Sequence, residues 1–207
     1  VRSAGPPTPS NRPSAVAIRE ELAATNPAFL NDLAASLNNL GNCRSEIGRH
    51  ADAVEPIERA VAIYEELAAT NPAFLNDLAM SLHNLGMSYS EIGRPADAIE
   101  PTERAVAIRD ELAATNPAFL NDLAGSLSNL AVLRAAASEH EDGLTAMSRA
   151  VELRRTLAGE LPDVGVPLLA AALRALATQL EAAGDQERAR AAAEESERLY
   201  AELIGGE

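Results

Sequence analysis

Lysine and tryptophan are missing from this 207-residue chain, and cysteine occurs once, at Cys43. Without lysine, all 17 basic residues are arginine, set against 31 acids for a formal charge of −14. A chain so acidic has no basic stripe for a phosphate backbone and would be repelled by an anionic lipid surface, so neither a nucleic acid nor a membrane partner is expected. A lone cysteine excludes an internal disulfide and fits a reducing, cytoplasmic setting. Aromatics make up only 3% of the chain, which leaves the interior to Ala, Leu, Val and Ile. Long apolar runs are scarce too: the longest, Val164 to Leu173, is broken by Arg174 and is too short to span a bilayer. The N-terminus lacks the charged-then-apolar layout of a signal peptide, and a first residue of Val suggests a processed chain or a fragment. The Arg- and Ala-rich, Lys-free composition points to a GC-rich bacterial genome.

What the chain does have is repetition. The phrase Thr-Asn-Pro-Ala-Phe-Leu-Asn-Asp-Leu-Ala begins at Thr25, at Thr70 and at Thr115, a period of 45 residues, and it holds all three Phe. A fixed period of this size marks a stacked array in which each unit buries its apolar face against its neighbours. Residues 1–13 carry four of the twelve prolines and read as a disordered lead or linker. The array spans 14–207: a half unit at 14–25, full units at 26–70, 71–115 and 116–160, and a divergent capping unit at 161–207.

Within a unit, Asn26 followed by Pro27 starts a helix, because Asn caps free amides and Pro at the first position loses no hydrogen bond. Leu30, Leu33, Leu37 and Leu40 mark one face of a helix from Pro27 to about Ile47, where Gly48 supplies a left-handed stop. A second helix covers about 50–69, with Ala53, Ile57, Ala60, Val61, Tyr64 and Leu67 as its stripe. Pro56 and Pro101 lie about seven residues into second helices, where a proline costs ~3 kcal/mol, so a kink or a broken first turn is expected there. In the last unit Leu173, Leu176, Ala177, Gly184 and Ala189 hold register after a one-residue shift, and the final helix carries the polar face of a cap.

Leu82, Leu85, Gly86, Tyr89, Gly93, Ala98, Thr102 and Ala105 in unit two resemble the tetratricopeptide repeat in spacing; so do Leu37, Leu40, Gly41, Arg44, Gly48, Ala53, Ile57 and Ala60 in unit one. Arg44 and Arg134 depart from that pattern at its aromatic position and Thr102 at its large one. The unit exceeds the usual 34 residues by 11. With Asn-Pro at the start and Leu-Asn-Asn-Leu inside, it is similar to the long-unit, kinesin light chain-like subtype. The resemblance implies an all-α, right-handed α-solenoid of antiparallel helix pairs, with a concave groove, lined by first helices, that takes extended peptides. Arrays of this kind also resemble the sensor arms of signalling ATPases and caspase-like proteases.

Units one and two agree at 35 of 45 positions. Three differences, Ala35/Met80, Asn38/His83 and Asn42/Met87, form one stripe on the first helix, and unit three changes the same positions to Gly125, Ser128 and Val132. By the family geometry this stripe faces the groove. It is either a set of specificity residues or exposed surface free to drift; against drift stands the constancy of Glu55/Glu100, Glu58/Glu103 and Glu66/Glu111 on the second helices. Beside it runs a constant row, Asn39, Asn84 and Asn129. Asn offers donors and an acceptor, so the row suits the backbone of an extended peptide, as the subtype implies; alternatively each Asn bonds a neighbouring helix and sets stacking. The acids of the second helices read as a solvated face.

No nucleophile, base and orienting group converge. Cys43 reads as a small, semi-buried hydrophobe, and His50, His83 and His140 fall at unrelated repeat positions without metal-ligand spacing. The chain is therefore expected to be a non-enzymatic binding scaffold or sensor arm, without catalytic residues, metal or cofactor. Its partner is expected to be a protein or peptide, contacting Ala35, Asn38, Asn39, Asn42, Met80, His83, Asn84, Met87, Ser128 and Asn129. The rival reading is a structural self-association module, a dimer through its N-terminal end without a peptide ligand; in either case a monomer or weak dimer is expected.

Overall fold

A computed structural model describes residues 14–205; the lead at 1–13 lies outside the described residues. Among the described residues nine α-helices follow one another: α1 (Ala15–Thr25), α2 (Leu30–Glu46), α3 (His50–Thr70), α4 (Leu75–Glu91), α5 (Pro95–Thr115), α6 (Leu120–Ala136), α7 (His140–Glu160), α8 (Pro162–Ala182) and α9 (Gln186–Gly205). There is no strand among the described residues. Each helix packs on the next, and α2 also touches α4, so the chain is an all-α solenoid of helix pairs.

The recurrent Thr-Asn-Pro is the joint between units. The hydroxyl of Thr25 and the amide of Asn26 both donate to the carbonyl of Leu22, closing α1. The Asn26 side chain then accepts from the Ala28 amide at 3.0 Å, opening a 3-10 turn, Pro27–Phe29, that leads into α2. Thr70 with Asn71, and Thr115 with Asn116, repeat the arrangement. One tripeptide thus satisfies orphan groups of two helices at once. At the other end of each pair, Gly48, Gly93 and Gly184 take φ of +76°, +75° and +84°, and Ser138 takes +68° in the corresponding place of unit three. The Arg49 amide donates back to the Arg44 carbonyl there, the six-to-one bond of a Schellman stop.

The helix runs unbroken through Pro56 and through Pro101, which corrects the expected break of the first turn. Pro56 is fully buried and packs as a core residue. The carbonyl it leaves without an amide donor, that of Asp52, accepts instead from the Arg44 guanidinium.

Pairs close on small residues. A Cβ on Gly41 would stand 2.3 Å from Ile57, and one on Gly86 would stand 2.3 Å from the Thr102 hydroxyl. Buried side chains such as Leu37, Ile57, Leu82 and Leu123 each contribute roughly 1.5–3 kcal/mol. The core falls into two clusters. One spans Leu33 to Leu85 with Ala105; the other runs from Leu123 to Ala192. Helix α8 is long and apolar enough by length and composition to cross a membrane, and in this fold it is a core helix between α7 and α9, burying Leu169, Leu173, Leu176 and Leu180.

The second helices are laced together by charge. Arg59 pairs with Glu20, Arg104 with Glu65 and Arg149 with Asp110, each reaching one unit back. Tyr89 and Arg134, at the position where the repeat pattern wants an aromatic, donate to Glu58 and Glu103 of the preceding unit. Tyr and Arg are therefore interchangeable there as long donors. The acids expected to be a solvated face are exposed, and several of them also form ion pairs there. The constancy of Glu55/Glu100 and Glu58/Glu103 accordingly has a structural cause, because Glu55 and Glu100 also pair with Arg59 and Arg104.

Candidate functional site

The variable stripe and the asparagine row both lie on the first helices α2, α4 and α6. Met80 and Met87 are 42% and 39% exposed, Val132 is 55% exposed, and Ala35, Asn42 and Gly125 are half-buried. A shallow depression between α2 and α4 is lined by Asn42, Asn84 and Met87, with Glu46 and Glu91 at its rim. Met is well suited to such a place, being apolar and conformationally adaptable.

Asn39 is exposed, and Asn84 and Asn129 are half-buried. Asn39 and Asn84 form no side-chain hydrogen bond with the described residues, and the Asn129 amide meets only the Met87 sulfur, at 3.5 Å. Among the described residues the Asn39 and Asn84 amides are thus not spent on neighbouring helices, while that of Asn129 reaches the Met87 sulfur of α4.

Asn38 is placed differently from its neighbour. It is 2% exposed and its amide donates to the Ser81 hydroxyl of the next unit, so it packs between α2 and α4 and is withdrawn from the surface. Adjacent residues on a helix point about 100° apart, and that turn separates a surface Asn39 from an interior Asn38. Ser128, at the same repeat position, is half-buried and donates to the Ala124 carbonyl at 2.8 Å.

His83, the unit-two counterpart of Asn38, is half-buried at the junction of α4, α5 and α6. Its Nδ1 is buried without a hydrogen-bond partner. Burial pushes its pKa from 6.5 down to about 4; the Arg109 guanidinium adds to the shift and the Asp122 carboxylate opposes it. Arg109 itself is 7% exposed. Its Nη1 donates to the Ser126 hydroxyl and to the Asp122 carbonyl, while its Nε has no partner. Burial lowers its pKa as well. The sequence reading missed Arg109, because it belongs to a second helix and its counterpart in unit one is Tyr64. The ten differences between units one and two contained the signal: Asn38 with Tyr64 changes to His83 with Arg109 in one step along the array.

Cys43 is exposed, where a semi-buried place was expected. Its counterparts Ser88 and Leu133 are buried because a preceding first helix covers them; at the half unit only α1 lies against α2. Among the described residues no three His, Cys, Asp or Glu side chains gather as metal ligands.

Residues 33–71 and 78–113, within the first two full units, match the family model described as tetratricopeptide repeat. In fold the chain is similar to BtubC (BKLC) from P. vanneervenii, with 18% identity over 92% of this chain and 89% of that one and a TM-score of 0.59. It is also similar to MamA, with 16% identity over 92% and 90% and a TM-score of 0.62. At these identities the likeness is one of fold. No curated protein matches the sequence.

Proposed function

We propose that this chain, a tetratricopeptide repeat protein, is a protein-interaction scaffold whose first-helix face holds an extended segment of a partner. Repeats of this family serve as interaction scaffolds. The observation that carries it is the asparagine row: three amides, one per unit, with no oxygen partner among the described residues. An asparagine kept only for stacking would bond to a neighbouring helix, as Asn38 does. Donors and an acceptor repeated in register suit a peptide main chain, while Met80, Met87 and Asn42 meet side chains. The charge of −14 supports a protein partner over a phosphate backbone, and exposed Cys43 suits a reducing cytoplasm.

The test compares the wild type with Asn39→Ala/Asn84→Ala/Asn129→Ala in capture from lysate, after circular dichroism has shown equal helicity. A partner held by the wild type and lost by the variant supports the groove. A partner held equally by both refutes it.

A second reading is self-association through the N-terminal end. Ile18 and Leu22 of α1 are 45% and 39% exposed, and Leu40 is half-buried where its counterparts Leu85 and Leu130 are buried. Light scattering over a range of concentrations, with Leu22→Glu as control, decides this: a mass constant with concentration removes the reading.

A further inference from the structure

The two helices of a pair differ in how their acids are balanced. On α1, α3 and α5, Glu20, Glu65 and Asp110 each meet an arginine one unit on, and Glu55 and Glu100 meet one within their own helix. The first helices α2 and α4 carry Asp32, Glu46, Asp77 and Glu91, and among the described residues none of these meets an arginine. Glu91 has only His50 beside it, whose Nδ1 lies 2.7 Å from its Oε2. Glu46 is exposed and has no ion pair among the described residues.

Glu46 is the last residue of α2, and Glu91 is the last of α4. The free carbonyls of a helix C-terminus carry partial negative charge, so an acid there stands at the unfavourable end. The last turn of α4 holds no basic residue, and Arg44 in the last turn of α2 is taken up by the Asp52 carbonyl. Unit three closes the same turn with Ala136, so the fold does not require an acid at that position. Both carboxylates border the depression between α2 and α4, with Asn42, Asn84 and the exposed Met87. The cations Arg109 and Arg154 lie farther along the array, against α6 and α8.

We infer that this depression is a subsite for a basic side chain of the groove's occupant, its charged head between Glu46 and Glu91 and its aliphatic stem on Met87. One exposed ion pair contributes little by itself; here two carboxylates and two negative helix ends act on a single cation. The side-chain carbonyls of Asn42 and Asn84 offer further acceptors, which suits a guanidinium, with more N–H donors than an ammonium. Met87 gives the stem an adaptable apolar contact. Among the described residues no third His, Cys, Asp or Glu joins the pair, so the arrangement fits an organic cation rather than a metal ion. The inference rests on the groove reading above and gives the occupant a basic residue over units one and two.

The probes are N-acetyl-arginine amide and N-acetyl-citrulline amide, which share a shape and differ in charge. Each is titrated into the full chain while the backbone amides of Glu46 and Glu91 and the side-chain amides of Asn42 and Asn84 are followed by NMR. A saturable shift centred on these residues is expected with the arginine probe and none with the citrulline probe. Glu46→Gln/Glu91→Gln is expected to bind at least roughly tenfold more weakly, the size of a charged hydrogen bond. Glu55→Gln/Glu100→Gln removes the same charge from the second helices and should leave binding within about twofold, because distant exposed charges are screened. Glu46→Gln alone should leave the melting temperature unchanged or raised; a lowered one would give that carboxylate a structural task and count against the subsite. Equal shifts from both probes, no saturable shift, or equal losses in the two double variants would overturn it, the last by showing attraction to net charge alone. Capture with Asn39→Ala/Asn84→Ala/Asn129→Ala keeps the two readings apart. If that variant loses its partner while the arginine probe leaves the wild type unshifted, the groove stands and the subsite falls; the converse pattern removes the groove and leaves the cation site.

Discussion

The guanidinium of Arg44 donates to the carbonyl of Asp52 at 2.6 Å, and that carbonyl is the one that Pro56, four residues on, deprives of its helical amide. An arginine at a position where the repeat pattern wants an aromatic therefore has a local task in unit one: it crosses from the first helix to mend the second.

This relationship predicts a coupling. Arg44→Met should destabilise the chain by about 1 kcal/mol, the net worth of one such bond. In a Pro56→Ala background, where the helix amide is restored, the same change should cost close to nothing. A double-mutant cycle by thermal unfolding measures the difference. Additive effects would mean that Arg44 does not serve the Asp52 carbonyl.

Glycines that look alike in the sequence should respond unequally to alanine. A Cβ on Gly165 would lie 2.4 Å from the Ala158 backbone, which cannot rotate away, whereas on Gly41 it would meet the Ile57 side chain. Overpacking costs typically about 1–3 kcal/mol. Gly165→Ala is expected at or above the top of that range and Gly41→Ala within it, since the atoms it meets first belong to a side chain and not to backbone. Melting temperatures of the two variants rank them, and the reverse order would contradict the packing described here.

His83 should titrate near pH 4, facing Arg109 from α5 and Asp122 from α6. Its folded pKa lies below the ordinary 6.5, so the unfolded chain binds the proton more readily. The contribution is therefore fully present above about pH 6.5 and is lost as the pH falls toward 4. His83→Asn should flatten the pH dependence of stability across that window. An NMR titration of the ring that gives a value near 6.5 would show the imidazole to be solvated.

The Asn-Pro helix starts and the stops at Gly48, Gly93 and Gly184 were legible because each is local chemistry: a cap, a proline at a first position, a left-handed residue. Ser138 shows the limit of that reading, because it takes the same left-handed turn without being glycine. Asn38 and Asn39 were not separable. Both are polar, both lie on the first helix α2, and only the position of Ser81 one unit away tells which is inside. The pairing of the exposed charges on the second helices was not legible for a related reason. Glu65 and Arg104 lie 39 residues apart, and their meeting depends on how units stack, which no window along the chain reveals. Continuity through Pro56 likewise depends on a donor from another helix.

The polar junction at Arg109 and His83 lies where one apolar cluster ends and the next begins. Ile99, Val106 and Ala113 of α5 nevertheless pack onto the second cluster, so the two halves of the array are joined there by partly buried apolar side chains. In a solenoid, whose units touch only their neighbours, the strength of each such joint sets how far the opening of one unit travels along the row.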